Sequence, residues 1–167
     1  MADTRRASGE EMSAADPVIE LEGRPSLEVQ GEHGRFPVGR IWCVGRNYAA
    51  HAREMEPDAG RQEKPDPPFF FFKPATALVS GGGPVPYPPR TTLLHHEVEL
   101  VVALRHGGRD IPPEQALELV FGYGVGFDLT RRDVQAEAKH LQRPWSLAKG
   151  FDGSAPCSFL VPCSRIG

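Results

Sequence analysis

The segment LLHHEVELVVAL, at residues 93–104, constrains the fold of this chain more than any other. Its apolar and β-branched residues predict a strand, yet it carries two carboxylates with a single residue between them. Because side chains at i and i+2 of a strand point to the same side, Glu97 and Glu99 lie together. Two like charges at that spacing repel each other, and burial increases the cost. The fold must therefore offer this side of the strand either water or a cation.

Two interpretations of this strand stay open at the level of sequence. In the first, the acids face water, and the alternate residues Val98, Leu100 and Val102 form the core side. In the second, the acidic side lines a cavity and holds a divalent ion. Oxygen ligands suit hard cations, so the second interpretation predicts Mg²⁺, Mn²⁺ or Ca²⁺ rather than Zn²⁺.

Proline and glycine limit the rest of the chain to short elements. They make up 17 and 18 of the 167 residues, a composition typical of turns and loops rather than of long helices. Further strands are predicted at residues 40–44, 69–80, 121–128 and 158–161. Helices are predicted at residues 49–56, 112–120 and 131–142, the last with Thr130 as its N-cap and Asp133 completing a loose capping arrangement.

The first part of the chain differs in character from the rest. Residues 1–35 are polar, charged and without periodicity, which predicts a disordered or extended tail. Residues 36–167 are of a size that suits one domain.

Composition and missing motifs argue against several classes of function. The formal net charge of -3 does not suggest binding to nucleic acid or to an anionic membrane surface. No apolar run is long enough for a membrane span or a signal peptide, which predicts a cytoplasmic protein. The three cysteines form no CxxC pair, which argues against a disulfide framework. Since no P-loop, GxGxxG or GxSxG pattern is present, neither a nucleotide site nor a serine hydrolase is predicted.

Asp128 is the natural candidate for a third oxygen ligand beside the two glutamates. It follows FGYGVGF, an apolar stretch with regularly spaced glycines, and it precedes a predicted helix. An isolated acid in such a position indicates function more strongly than an acid in a polar run. The alternative is a structural role as a helix cap near Thr130.

Five further residues have side chains suited to catalysis or binding. His51 and Glu54 share a helix face, where the carboxylate could orient the imidazole as a general base for water. Lys149, between an aromatic stretch and a glycine turn, could polarise a carbonyl. Arg132, on one helix face with Gln135, suits bidentate binding of a carboxylate. Taken singly, each could equally be an ordinary solvated side chain.

Five motifs in order along the chain give a more specific indication: CVGRNYAAHAREM, FFFKPATAL, LHHEVELVV, FGYGVGFDLTRRDVQAEAK and PWSLAKGFDGSAPC. With this set the chain resembles the fumarylacetoacetate hydrolase superfamily, most closely its single-domain acylpyruvase and fumarylpyruvate hydrolase branch. The resemblance extends from about Phe36 to the end of the sequence. It implies an α+β, mainly β fold in which mixed sheets form a distorted roll with short helices.

The resemblance also implies roles for particular residues. The implied ligands of a Mg²⁺ ion, with Mn²⁺ or Ca²⁺ as alternatives, are Glu97, Glu99 and Asp128. The implied catalytic residues, a water-activating dyad and a lysine that binds the substrate carbonyl, are His51, Glu54 and Lys149. The implied substrate-binding residues are Arg132, Gln135 and, in the FFKP motif, Lys73.

The implied activity is metal-dependent hydrolysis of a carbon–carbon bond in a 2,4-diketo acid, of the acylpyruvate or fumarylpyruvate type. The products are pyruvate and an acid, and the implied assembly is a homodimer. Oxaloacetate decarboxylation and isomerisation of an unsaturated diacid use the same scaffold and stay alternatives. Because the family pattern continues beyond Gly167, we expect residues 36–167 to lack the C-terminal part of the domain. An inactive metal-binding fragment is therefore a third alternative.

Overall fold

The computed structural model describes residue 19, residues 23–48 and residues 67–166. The strands in these ranges are β1 (Ser26–Glu28), β2 (Arg35–Pro37), β3 (Ile41–Val44), β4 (Phe70–Lys73), β5 (Leu78–Ser80), β6 (Leu94–Leu104), β7 (Val120–Arg131), β8 (Ala155–Cys157) and β9 (Val161–Pro162). The α-helices are α1 (Arg132–His140) and α2 (Ser146–Lys149). Short 3-10 helices cover Ala75–Ala77, Pro113–Leu119 and Cys163–Arg165.

A five-stranded sheet forms the centre of the fold, with strand order β5–β8–β7–β6 and with β9 alongside β7. β6 and β7 pair antiparallel along almost their whole length, whereas β5 and β8 are parallel. Two separate antiparallel pairs, β1–β2 and β3–β4, complete the arrangement. The predicted α+β, mainly β fold with short helices is confirmed.

The hydrophobic core includes a residue from the first hairpin. Leu27, in β1, is 3% exposed and belongs to the same buried cluster as Leu160 and Cys157. Backbone hydrogen bonds of 2.8 Å join Leu160 to Glu28 and Gln30. Part of the range predicted as a disordered or extended tail is thus packed, since Leu27 and Val29 are buried and β1 pairs with β2.

The junction between β7 and α1 differs from the prediction. β7 continues past Asp128 to Arg131, since each of its last residues pairs with β6. Thr130 therefore lies in the strand, and α1 begins without a side-chain cap. Asp133 accepts hydrogen bonds from the Thr91 hydroxyl and the Thr92 amide, at 2.6 and 2.9 Å, so it fastens the loop before β6 instead of completing a capping box.

Two other predicted elements change, and one is not described. The helix predicted at residues 112–120 is a 3-10 helix, Pro113–Leu119. No single strand covers residues 158–161. β8 ends at Cys157 and β9 begins at Val161, and Leu160 between them forms an isolated bridge with Val29. The helix predicted at residues 49–56 lies outside the described residues.

The sheet face formed by β6 and β7 that lies away from the acids is apolar and exposed. Its residues, each 41–61% exposed, are Val98, Leu100, Val102, Leu104, Val125 and Phe127. The interpretation that placed the apolar residues of β6 in the core is therefore wrong. No helix in the part of the chain that the structure describes is long and apolar enough to cross a membrane.

β9 packs against the backbone of β7 at Gly122. This glycine lies opposite Pro162, and a Cβ atom at this position would overlap the Val161 backbone carbonyl. Because a backbone atom cannot move aside cheaply, Gly122→Ala is expected to lower the free energy of unfolding by about 1–3 kcal/mol. Urea unfolding measures the change. Gly107→Ala, where nothing lies within 4 Å of an added Cβ, is the matched control. Equal midpoints for the two variants would contradict this packing.

Candidate active site

The register of β6 and β7 places the predicted acids together on the covered side of the sheet. Glu97 lies opposite Asp128, and Glu99 lies opposite Gly126. Ala103, on the same side of β6, is 6% exposed. The side chains of Glu97 and Asp128 are 15% and 8% exposed. The two carboxylates therefore face each other across neighbouring strands with little access to water.

Lys149 supplies the positive charge between these two strands. It is the last residue of α2, and its side chain is 3% exposed. Its ammonium lies 2.6 Å from Glu97 Oε2 and 2.6 Å from Asp128 Oδ2. It also donates to the Thr130 hydroxyl at 2.6 Å. All three hydrogens of the ammonium thus have acceptors, and the lysine is held in one position.

Lys73, at the end of β4, approaches Asp128 from another direction. Its ammonium is 2.8 Å from Asp128 Oδ1 and its side chain is 2% exposed. It donates to the carbonyl oxygen of Leu129 at 3.1 Å and to that of Lys149. Burial lowers the pKa of Lys73, and the charge of Asp128 opposes that shift.

Arg132, the first residue of α1, lies beside Glu97 at the edge of this group of charged side chains. Its guanidinium pairs with Glu97 Oε1 and donates to Gln135 Oε1 at 2.6 Å. Its Nε lies 3.3 Å from His95 Nδ1. Gln135 is 3% exposed. The predicted i, i+3 pair is therefore real, and it points toward the acids rather than into solvent.

Burial and charge act in opposite directions on the carboxyl groups. Burial opposes the ionised form of Glu97, but Lys149 and Arg132 outweigh it and lower the pKa of Glu97 to about 2. Burial raises the pKa of Asp128, and the two lysines beside it offset part of that rise. Glu97 is thus ionised throughout the physiological pH range.

Glu99 has the least compensated charge of the three acids. Burial raises its pKa, and the charges of Asp128 and Glu97 raise it further. A hydrogen bond with the Tyr48 hydroxyl works in the opposite direction. The local excess of negative charge is what a bound cation would relieve.

The oxygen donors of the three carboxylates are of the chemical type that a hard divalent cation prefers. Asp128 Oδ1 is buried, and the Lys73 ammonium lies 2.8 Å from it. Because a carboxylate oxygen has two lone pairs, one remains for Mg²⁺ or Mn²⁺, next to the undercompensated Glu99. No three His, Cys, Asp or Glu side chains in residues 23–48 and 67–166 are arranged to hold a metal ion as they stand. The Lys149 ammonium lies between Glu97 and Asp128 instead.

Comparison with known proteins identifies the family. A family model described as fumarylacetoacetate (FAA) hydrolase C-terminal matches residues 40–167, which is most of the chain. The chain belongs to the fumarylacetoacetate hydrolase family. The resemblance stated from the five motifs is thereby confirmed.

Individual members of this family match closely in sequence and structure. Fumarylpyruvate hydrolase from Pseudomonas aeruginosa, solved in complex with Mn²⁺ and pyruvate, is 49% identical with a TM-score of 0.82, over 91% of this chain and 65% of that one. A Burkholderia cenocepacia structure provisionally assigned as a fumarylpyruvate hydrolase is 54% identical with a TM-score of 0.80, over 92% and 63%. The mitochondrial oxaloacetate tautomerase of Bos taurus is 43% identical over 137 residues, 78% of this chain and 60% of that protein. The chain therefore spans less than two thirds of the length of these relatives.

The structure brings together all the predicted site residues of this family member that it describes: Glu97, Glu99, Asp128, Lys149, Arg132, Gln135 and Lys73. The other two, His51 and Glu54, lie outside the described residues, so the dyad stays a prediction.

Three residues of the cluster were missed in the sequence. Thr130 is fully buried and binds Lys149. Because it is two residues from Asp128 in one strand, strand parity is the signal that could have found it. Tyr48 and His95, which contact Glu99 and Arg132, belong to the quoted motifs but have no spacing that indicates a role.

The low pKa of Glu97 predicts a loss of stability in acid. An acid with a lowered folded-state pKa stabilises the fold above its ordinary value of 4.5, and this contribution is lost as the pH falls toward 2. We expect the free energy of unfolding to decrease over that window, and to decrease less in Glu97→Gln. Urea unfolding at successive pH values is the measurement. Glu114→Gln, which alters an exposed acid in a 3-10 helix, is the control. Identical pH profiles for wild type and Glu97→Gln would contradict the ion pairs described above.

Proposed function

We propose that this chain carries the metal and substrate-carbonyl centre of a hydrolase that cleaves a carbon–carbon bond in a 2,4-diketo acid. The substrate is of the acylpyruvate or fumarylpyruvate type, and the products are pyruvate and an acid. The observation that carries the proposal is the buried Lys149 ammonium, held 2.6 Å from both Glu97 and Asp128. Support comes from the 49% identical fumarylpyruvate hydrolase, whose structure contains Mn²⁺ and pyruvate.

The described residues divide the work of binding. Glu97, Glu99 and Asp128 would hold Mg²⁺ or Mn²⁺, which when bound supplies Lewis-acid stabilisation of charge on the oxo acid. Lys149 would donate a hydrogen bond to the substrate carbonyl oxygen on which negative charge grows, once a cation replaces its ammonium between Glu97 and Asp128. Arg132 would bind the substrate carboxylate through the guanidinium N–H groups that Glu97, Gln135 and His95 leave unused.

The chemical step needs an activated water. We assign its proton to His51, with Glu54 orienting the imidazole. The resulting hydroxide adds to the distal carbonyl carbon, and the bond between that carbon and the pyruvate methylene breaks. The electron pair stays on the methylene carbon, which takes up a proton to give pyruvate.

The dyad makes a prediction of its own. His51→Ala is expected to lower kcat for hydrolysis by at least about a hundredfold, because general-base catalysis contributes about 10²–10⁴ in rate. Binding of pyruvate, measured by calorimetry, is expected to be unchanged. The matched control is His33→Ala, an exposed histidine outside the cluster. Full activity in His51→Ala would remove the dyad from the mechanism.

The proposed activity is tested by incubating the full chain with acetylpyruvate or fumarylpyruvate and Mg²⁺ or Mn²⁺, and by measuring pyruvate release. EDTA is expected to stop the reaction, and added Mn²⁺ to restore it. A chain that binds Mn²⁺ but releases no pyruvate, under conditions in which the Pseudomonas aeruginosa fumarylpyruvate hydrolase is active, would identify the inactive metal-binding alternative.

A second candidate is tautomerisation or decarboxylation of oxaloacetate, favoured by the 43% identity to the bovine oxaloacetate tautomerase. These reactions would use the same binding of the metal and the oxo acid but need no hydrolytic water. Following enol and keto oxaloacetate by their ultraviolet absorbance distinguishes them: if His51→Ala leaves this conversion intact while wild type releases no pyruvate from acylpyruvates, the second candidate is correct. A homodimer and a cytoplasmic location stay predictions.

A further inference from the structure

The ammonium of Lys73 joins three parts of the fold that are distant in sequence. Lys73 closes β4, its ion-pair partner Asp128 and the carbonyl of Leu129 belong to β7, and the carbonyl of Lys149 closes α2. The separations along the chain to the two carbonyls are 56 and 76 residues. One buried charge therefore connects the strand that carries a proposed metal ligand to the helix that carries the proposed carbonyl-binding lysine.

The surroundings of Lys73 leave it no access to a substrate. Its side chain is 2% exposed, and three protein oxygens lie around the ammonium. Phe151 covers it further, with the ring centroid 5.8 Å from Nζ. A lysine is rarely buried to this extent unless its charge is paired. The substrate contact implied by the family motif thus has no support in the contacts that Lys73 makes.

The geometry at Asp128 shows what the pairing achieves. Lys73 donates to the two carbonyl oxygens, and its ammonium also lies 2.8 Å from Asp128 Oδ1, within charge-assisted hydrogen-bond distance. This contact uses one lone pair of that oxygen and leaves the other for a cation. Its other oxygen is fixed by Lys149.

We propose that Lys73 is a positioning residue, which fixes the Asp128 carboxylate and the backbone of Lys149 relative to each other so that the carboxylate can bind a divalent cation. The proposal rests on the metal-ligand role of Asp128 in the proposed function. The proposal predicts the direction in which cation affinity changes. By Coulomb's law alone, removing a positive charge next to a metal site would strengthen cation binding, whereas removing a positioning residue weakens it.

The test is a double-mutant cycle on Mn²⁺ affinity, measured by calorimetry on the full chain without substrate. The variants are Lys73→Met, Asp128→Asn and their combination, with Lys139→Met as the control for loss of an exposed lysine. We expect Lys73→Met to weaken Mn²⁺ binding about 10–100-fold, the range found when residues that orient metal ligands are removed. In the Asp128→Asn background the same change is expected to have an effect of less than about twofold.

The outcomes separate this proposal from the proposed function. If Asp128→Asn itself leaves Mn²⁺ binding unchanged, the metal site of the proposed function is wrong. If Asp128→Asn weakens binding but Lys73→Met leaves it unchanged or strengthens it, the positioning role is wrong. An equal loss in both backgrounds indicates general damage to the fold and also overturns the positioning role. Should Lys73→Met fail to fold, Lys73→Gln, which retains a hydrogen-bond donor without the charge, is measured in both backgrounds and judged by the same criteria.

Discussion

Replacing Lys149 by methionine is expected to lower kcat/KM for an acylpyruvate by at least about a hundredfold, as loss of one hydrogen bond to a developing oxyanion does. It is also expected to destabilise the chain by about 3–5 kcal/mol, because Glu97 and Asp128 lose the ammonium between them while remaining buried. Steady-state kinetics and urea unfolding at pH 7 measure the two effects.

A matched substitution separates these effects from the loss of any lysine. Lys139, also in the C-terminal third of the chain, is exposed and lies over the Trp145 ring at 5.4 Å. Lys139→Met is expected to change the free energy of unfolding by less than about 1 kcal/mol. If Lys149→Met were as stable and as active as Lys139→Met, the central place of Lys149 in the site would be wrong.

Asp128→Asn is expected to weaken Mn²⁺ binding by at least about a hundredfold, with pyruvate release falling to background. Changing residues that merely orient metal ligands costs about 10–100-fold in affinity, and loss of a ligand's charge costs at least as much. The change retains the shape of the side chain, which is 8% exposed. Calorimetric titration with Mn²⁺ is the direct measurement.

The control for this second substitution is Asp110→Asn. Asp110 is exposed in the loop between β6 and β7, and its φ of 51° is one that asparagine also adopts. Its replacement is expected to leave Mn²⁺ affinity within about twofold, in keeping with the small effects of surface changes away from a site. Equal Mn²⁺ affinity in Asp128→Asn and Asp110→Asn would remove Asp128 from the proposed ligand set.

Strand periodicity predicted the part of the site that lies within two long strands. Glu97 and Glu99 share a side because every second residue of β6 does, and Asp128 meets them because β7 is the antiparallel neighbour. The sequence could not decide which side of β6 is covered. That choice depends on what packs against the sheet, and the apolar residues turned out to be the exposed ones.

Contacts between distant segments were beyond sequence reasoning. The FFKP motif drew attention to Lys73, but nothing local shows that its ammonium reaches the backbone of Lys149, 76 residues away. The prediction of Thr130 as a helix N-cap was wrong for a related reason. A threonine three residues before an aspartate fits the local capping pattern, but pairing with β6 extends β7 through that position. Local propensity gives way here to the hydrogen bonds of the sheet.

The unbroken pairing of β6 with β7 has a consequence for how this site tolerates insertions and deletions. From Leu94↔Arg131 to Ala103↔Gly122 the register runs without a bulge, and the first irregularity comes only at Leu104. Inserting one residue within this stretch would reverse the direction of every side chain beyond it and exchange the acids for valine and leucine. The loop between the two strands, by contrast, can change in length without altering which side the carboxylates face. The odd positions along β6 thus place the carboxylates on the covered side of the sheet. A one-residue insertion before them would turn them to the other side while leaving the composition of the strand almost unchanged.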